Sequence, residues 1–103
     1  MIRHLLTTSL FLFALAGVHG QSAHAPADTA LIHQYIRQAD RLERQGRYDS
    51  CIVYLRRAYD LAETLQQWQL AIEQAASLSY CYTSLDRPPE GRRWARQAQR
   101  SAG

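Results

Sequence analysis

Few residues in this 103-residue chain could do covalent or metal chemistry, and their arrangement does not favour it. Of the four histidines, His4, His19 and His24 crowd the N-terminus, and only His33 lies in a stretch that reads as folded. No acid and nucleophile are spaced from His33 so as to suggest a proton relay. Cys51 and Cys81 are far apart in sequence and lack the close cysteine and histidine spacing of a metal site. Ser50 and Ser79 fall in helical stretches, without the special turn that activates a serine, and no glycine-rich loop is present to cradle a phosphate. No enzyme, cofactor or metal is therefore expected. The remaining chemistry is that of surfaces: scattered acids, tyrosine rings and arginines.

The elements that must position those surfaces are helices. Glycine and proline are scarce and clustered, and Ala, Leu, Gln and Arg fill the long stretches between them. Ile32, Tyr35, Ile36, Ala39 and Leu42 recur at three- and four-residue spacing, predicting a first helix from about Asp28 to Arg44, capped by Asp28 or Thr29 and ended by Gln45-Gly46. A second helix starts near Arg47 and carries Tyr48, Cys51, Ile52, Leu55, Ala58, Tyr59, Ala62 and Leu65. Its apolar residues spread over more than one face, as in a helix packed on two sides. A third carries Trp68, Ala71, Ile72, Ala75, Leu78, Ser79, Tyr82 and Leu85 and stops before Pro88. The fourth opens on Pro88-Pro89-Glu90 and runs through Trp94, Ala95 and Ala98. No glycine or proline separates the second helix from the third. One rod of nearly forty residues would need a coiled-coil heptad, which is absent, so a turn near Leu65–Trp68 is expected.

The N-terminus reads as an address. Arg3 and His4 precede an apolar run from Leu10 to Val18, too short to span a bilayer but suited to a secretory signal peptide. Cleavage is expected after Gly20, with Ala25 a second small-residue position that Pro26 disfavours. Residues 1–20 are thus expected to be a signal peptide and 21–29 a flexible leader, with no transmembrane helix left after cleavage. The expected location is the periplasm or the exterior. That setting permits a disulfide between Cys51 and Cys81, although buried thiols used as packing are commoner, and a bridge would need Cα atoms within about 7 Å.

A repeat follows from sliding the chain on itself. At a shift of 40, Ala39 falls on Ser79, Leu42 on Tyr82, Gly46-Arg47 on Asp86-Arg87, Cys51 on Gly91, Leu55 on Ala95 and Ala58 on Ala98. Small meets small, as it must where two helices cross closely. The stretch Ala39-x-x-Leu42-x-x-x-Gly46-Arg47-Tyr48-Asp49-Ser50-Cys51-Ile52-x-x-Leu55-x-x-Ala58 resembles a tetratricopeptide repeat. The second copy is poorer, with Asp86 for the turn glycine and Pro88-Pro89 for the Tyr-Asp step. The resemblance covers roughly residues 30 to 100, and the shift implies helices longer than the usual 34-residue period allows. The expected fold is all-α, with two antiparallel helical hairpins stacked as a short α-solenoid: 30–65 the first repeat and 66–103 the second.

The resemblance implies a protein–protein interaction module in which the first helix of each pair lines a groove for a peptide or partner domain. The matching positions are His33, Ile36, Asp40, Glu43 and Arg44 in the first pair, and Glu73, Ala76, Tyr80 and Thr83 in the second. With acids near its middle, that face suits a basic or amphipathic segment. Two repeats fall short of the roughly three that stack stably alone. The chain is thus expected to self-associate or dock through its fourth helix, at Trp94 and Arg93, or to be the N-terminal piece of a longer product. Exported repeats of this style resemble the sensor regions of some bacterial membrane kinases and repeat-bearing CHAT-type proteases. The formal charge is +3 and every one of the 12 basic residues is arginine. Because most arginines are interspersed with acids, nucleic-acid binding is not the expected role. The exception, Arg87, Arg92, Arg93, Arg96 and Arg100 against Glu90 alone, sets the competing expectation of a basic helix that binds an anionic surface or nucleic acid.

Overall fold

The computed structural model describes residues 27–102, with side chains through residue 100. The expected signal peptide and its cleavage positions lie outside the described residues. Four helices fill the described chain: α1 at 27–44, α2 at Tyr48–Thr64, α3 at Trp68–Ser84 and α4 at Pro88–Ala102, with no strand among the described residues. Helix is already formed at residue 27, so 27–29 belong to α1 rather than to the leader, and Asp28 and Thr29 lie inside the helix instead of capping it.

The joints explain the architecture. Three turns close α1, α2 and α3 in the same way. Gly46, Gln66 and Asp86 take left-handed φ values of 73°, 57° and 58°. In each turn the following N–H reaches back to a carbonyl five residues earlier: Arg47 to Leu42 at 2.9 Å, Gln67 to Ala62 at 2.8 Å and Arg87 to Tyr82 at 2.9 Å. The left-handed residue itself donates to Glu43, Glu63 or Thr83 at 2.9–3.0 Å. This is the Schellman ending, which satisfies carbonyls that a helix end leaves open. So short a turn forces the next helix back alongside the last, giving two antiparallel hairpins, α1–α2 and α3–α4. The expected break between the second and third helices is real, and Gln66 takes the left-handed place that glycine takes at residue 46.

Small residues at the crossings let the helices nest. The Cys51 thiol donates to the Ala39 carbonyl at 3.2 Å where α1 meets α2, and the Ser79 hydroxyl donates to the Gly91 carbonyl at 2.7 Å where α3 meets α4. These are the positions that the 40-residue shift superposes. The core joins Ile32, Ala39 and Leu42 of α1 to Cys51, Leu55, Ala58, Tyr59 and Ala62 of α2 and to Ala71, Ala75, Leu78 and Cys81 of α3. Trp94 and Ala98 of α4 pack against it. No helix among the described residues is long and apolar enough to cross a membrane.

Candidate functional site

Two surfaces and one buried cluster concentrate the polar chemistry. The first surface follows α1 and α3. Of its expected residues, His33, Asp40, Glu73, Tyr80 and Thr83 are exposed, while Ile36 and Glu43 are half-buried. Tyr80, 55% exposed, meets the ring of Tyr48 edge-on with centroids 6.1 Å apart. The hydroxyl of Tyr80 raises the Tyr48 phenol above its ordinary pKa, with Ser84 working in the other direction and Glu43 adding to the rise. Tyr48, Tyr80, Ser84 and Glu43 therefore form one neighbourhood at the α1–α2 turn. Glu73, about two turns before Tyr80 on α3, accepts from Gln69 at 3.3 Å. Thr83 stands apart from this group: its hydroxyl donates to the Ser79 carbonyl at 2.9 Å and faces the backbone of Gly91, on the side of α3 that meets α4.

The buried cluster lies just beneath. Cys51 of α2 and Cys81 of α3 are fully buried free thiols, and the Cys81 thiol donates to the Cys51 sulfur at 3.7 Å. A carboxylate oxygen of Glu43 from α1 lies within 4.8 Å of both sulfurs. Burial pushes the Cys81 thiol up to about 12, with Cys51 adding to the rise. Cys51 is raised too, chiefly by burial, against the opposing pull of its hydrogen bond with Cys81. Both thiols therefore keep their protons at neutral pH. Sequence spacing does not reveal this set, because its members come from three helices.

The second surface belongs to α2 and α4. Trp94 is half-buried and packs edge-on against Tyr59 at 4.8 Å, with the Arg56 guanidinium 5.2 Å from its ring centre. Gln97 donates to the Tyr59 hydroxyl at 2.9 Å, which donates in turn to Glu63 at 2.8 Å. Burial and then Glu63 raise the Tyr59 phenol. Arg56, Tyr59, Trp94 and Gln97, with exposed Arg93, line a shallow depression of about 230 Å³. Trp94, an expected association residue, is thus covered in part by its own chain and keeps part of its ring exposed. Beyond it, Arg92, Arg93, Arg96 and Arg100 are exposed, while Glu90 is taken by Arg87, whose guanidinium lies 2.6 Å away and holds that carboxyl below its usual range.

Two further depressions, of about 370 and 380 Å³, open on the first hairpin and share Tyr35. Tyr35, in the apolar stripe of α1, is half-buried, its ring 6.4 Å from that of Tyr54. Compared with protein-family models, curated proteins and solved structures, the chain matches none of them.

Proposed function

We propose that this chain is an exported helical-hairpin module of the tetratricopeptide kind that holds a basic or amphipathic polypeptide segment on the face formed by α1 and α3. The role is binding rather than catalysis. The observation that carries the reading is the neighbourhood of Tyr80: an exposed aromatic ring, braced by Tyr48, near the half-buried Glu43, with exposed Asp40 one turn before Glu43 on α1. A braced ring offers apolar area at little entropic cost, and the acids select cationic side chains around it. The matched positions at the helix crossings support the family, and the paired first helices of the hairpins support the groove.

Selection of peptides from a random display library on the purified chain tests this. Enriched sequences are expected to carry Arg or Lys beside apolar residues and to lose about tenfold in affinity or more, roughly 1.4 kcal/mol, on Tyr80→Ala or Asp40→Arg. Enriched peptides that bind both variants as well as the parent would refute the site. The exposed arginines of α4, left without a free acid on their own helix, favour a second reading, an anionic ligand, and salt separates the two. Binding that collapses between low and moderate salt and that fails on Arg96→Glu belongs to α4. N-terminal sequencing of protein recovered outside the cytoplasm is expected to begin at Gln21; retention of Met1 there would refute the leader.

A further inference from the structure

We propose that Cys51 and Cys81 close a disulfide that staples the first helical hairpin to the second. Cys51 lies in the first turn of α2 and Cys81 in the last turn of α3, so a bond between them ties the hairpins across their junction. Their sulfurs are already in contact at 3.7 Å, fully buried, with one thiol hydrogen-bonded to the other. A disulfide needs about 2.05 Å, so the sulfurs must close by about 1.7 Å.

The fold has a use for such a bond. Two hairpins are fewer than a helical stack commonly needs, and alanine supplies much of the core, burying less apolar surface than leucine would. Linking residues 30 apart removes many of the unfolded chain's conformations.

The chemistry is thiol–disulfide exchange with a donor disulfide. The thiolate of one cysteine attacks a donor sulfur, forming a mixed disulfide and expelling one donor thiol. The other cysteine then attacks the bridged protein sulfur and expels the second donor thiol. One disulfide bond breaks and one forms, the donor is reduced by two electrons, and the two cysteine protons end on the two donor thiols. In the folded protein both thiols are buried and protonated, so the exchange runs before α3 docks on α2, and the same burial afterwards keeps reductants out. The proposed export supplies the oxidising compartment, and the staple rests on that reading for its setting in the cell. The same two sulfurs with the Glu43 carboxylate also offer a thiophilic dication three donors, one short of a closed tetrahedral site.

Refolding the reduced, unfolded full chain in a mixture of oxidised and reduced glutathione tests the staple without relying on export. The expected result is a peptide joining Cys51 to Cys81 in a non-reducing mass map and no thiol titrating in denaturant. The thermal midpoint is expected to stand about 10 °C or more above that of the reduced protein. The Cys51→Ala chain is expected to melt at one temperature in both buffers. Two free thiols after oxidative refolding, or an unchanged midpoint, overturn the staple. So does one zinc ion per chain bound from zinc chloride in the same glutathione buffer, with both thiols unlinked and the binding lost in Glu43→Gln.

Discussion

Gly91 provides the sharpest test of the packing. It is buried in the first turns of α4, where that helix crosses α3. A methyl group added there would stand 2.7 Å from the Thr83 hydroxyl oxygen and 3.1 Å from the Ser79 carbonyl oxygen. The first distance is well inside contact range and the second is tight against backbone. Little can yield. Ser79 holds Gly91 through a 2.7 Å hydrogen bond to its carbonyl, and turning Thr83 away gives up its own 2.9 Å bond to Ser79. Replacing a helical glycine by alanine contributes about 1 kcal/mol of stability on its own, whereas forcing an extra carbon into a filled crossing costs about 1–3 kcal/mol. The balance predicts that Gly91→Ala destabilises the fold by up to about 2 kcal/mol. Thr83→Ala removes the nearer obstacle and leaves only the 3.1 Å approach. In that background Gly91→Ala should cost less than about 0.5 kcal/mol, a coupling of about 1 kcal/mol between the two sites. Denaturant unfolding followed by circular dichroism on the four chains of the cycle measures it. A Gly91→Ala chain more stable than the parent by the full helical gain of about 1 kcal/mol, or a cycle without coupling, would refute the claim that this crossing is held at contact distance.

At the second turn, Gln66 sits at a φ of 57° where a side chain is strained, so Gln66→Gly should raise stability by about 0.5–1 kcal/mol, read as a higher denaturation midpoint. Leu78 is wholly buried in α3, and Leu78→Ala should cost about 2–5 kcal/mol, enough to unfold much of so small a domain, as circular dichroism and proteolysis would report. The Cys81 thiol ionises near 9.0 when free and is pushed up to about 12 in the fold, so the folded state holds its proton more tightly. Its contribution to the stability of the reduced protein is therefore whole below pH 9 and is lost as the pH rises toward 12. Cys81→Ala should flatten the alkaline fall in stability, which a pH series of denaturant midpoints would show.

Much of this fold is written in local spacing, and what is not written there has a common physical cause. Helix periodicity, the left-handed glycine at 46 and the proline start at 88 act within one or two turns of chain, so the elements and two of the three joints can be read directly. The turn at Gln66 lacks a glycine or proline, and only the missing heptad argued for it. A stronger signal was available, because Gly46, Gln66 and Asp86 fall 20 residues apart, as do the small residues Cys51, Ala71 and Gly91 that begin the next helices. The 40-residue shift is twice that unit. The site is harder to read because it depends on contacts between residues 12, 30 and 38 apart: Cys51 with Ala39, Cys81 with Cys51, Gln97 with Tyr59. Periodicity places a residue on a face but does not say which neighbour that face meets. Thr83 shares the helical spacing of Tyr80 yet turns toward α4, and Tyr35 shares the spacing of Ile32 yet is left half-covered. The crossing register decides such cases, and turn length sets the register. Because the three joints have one geometry, a single correctly placed crossing, Ala39 on Cys51, carries over to Ser79 on Gly91 and brings the two thiols face to face.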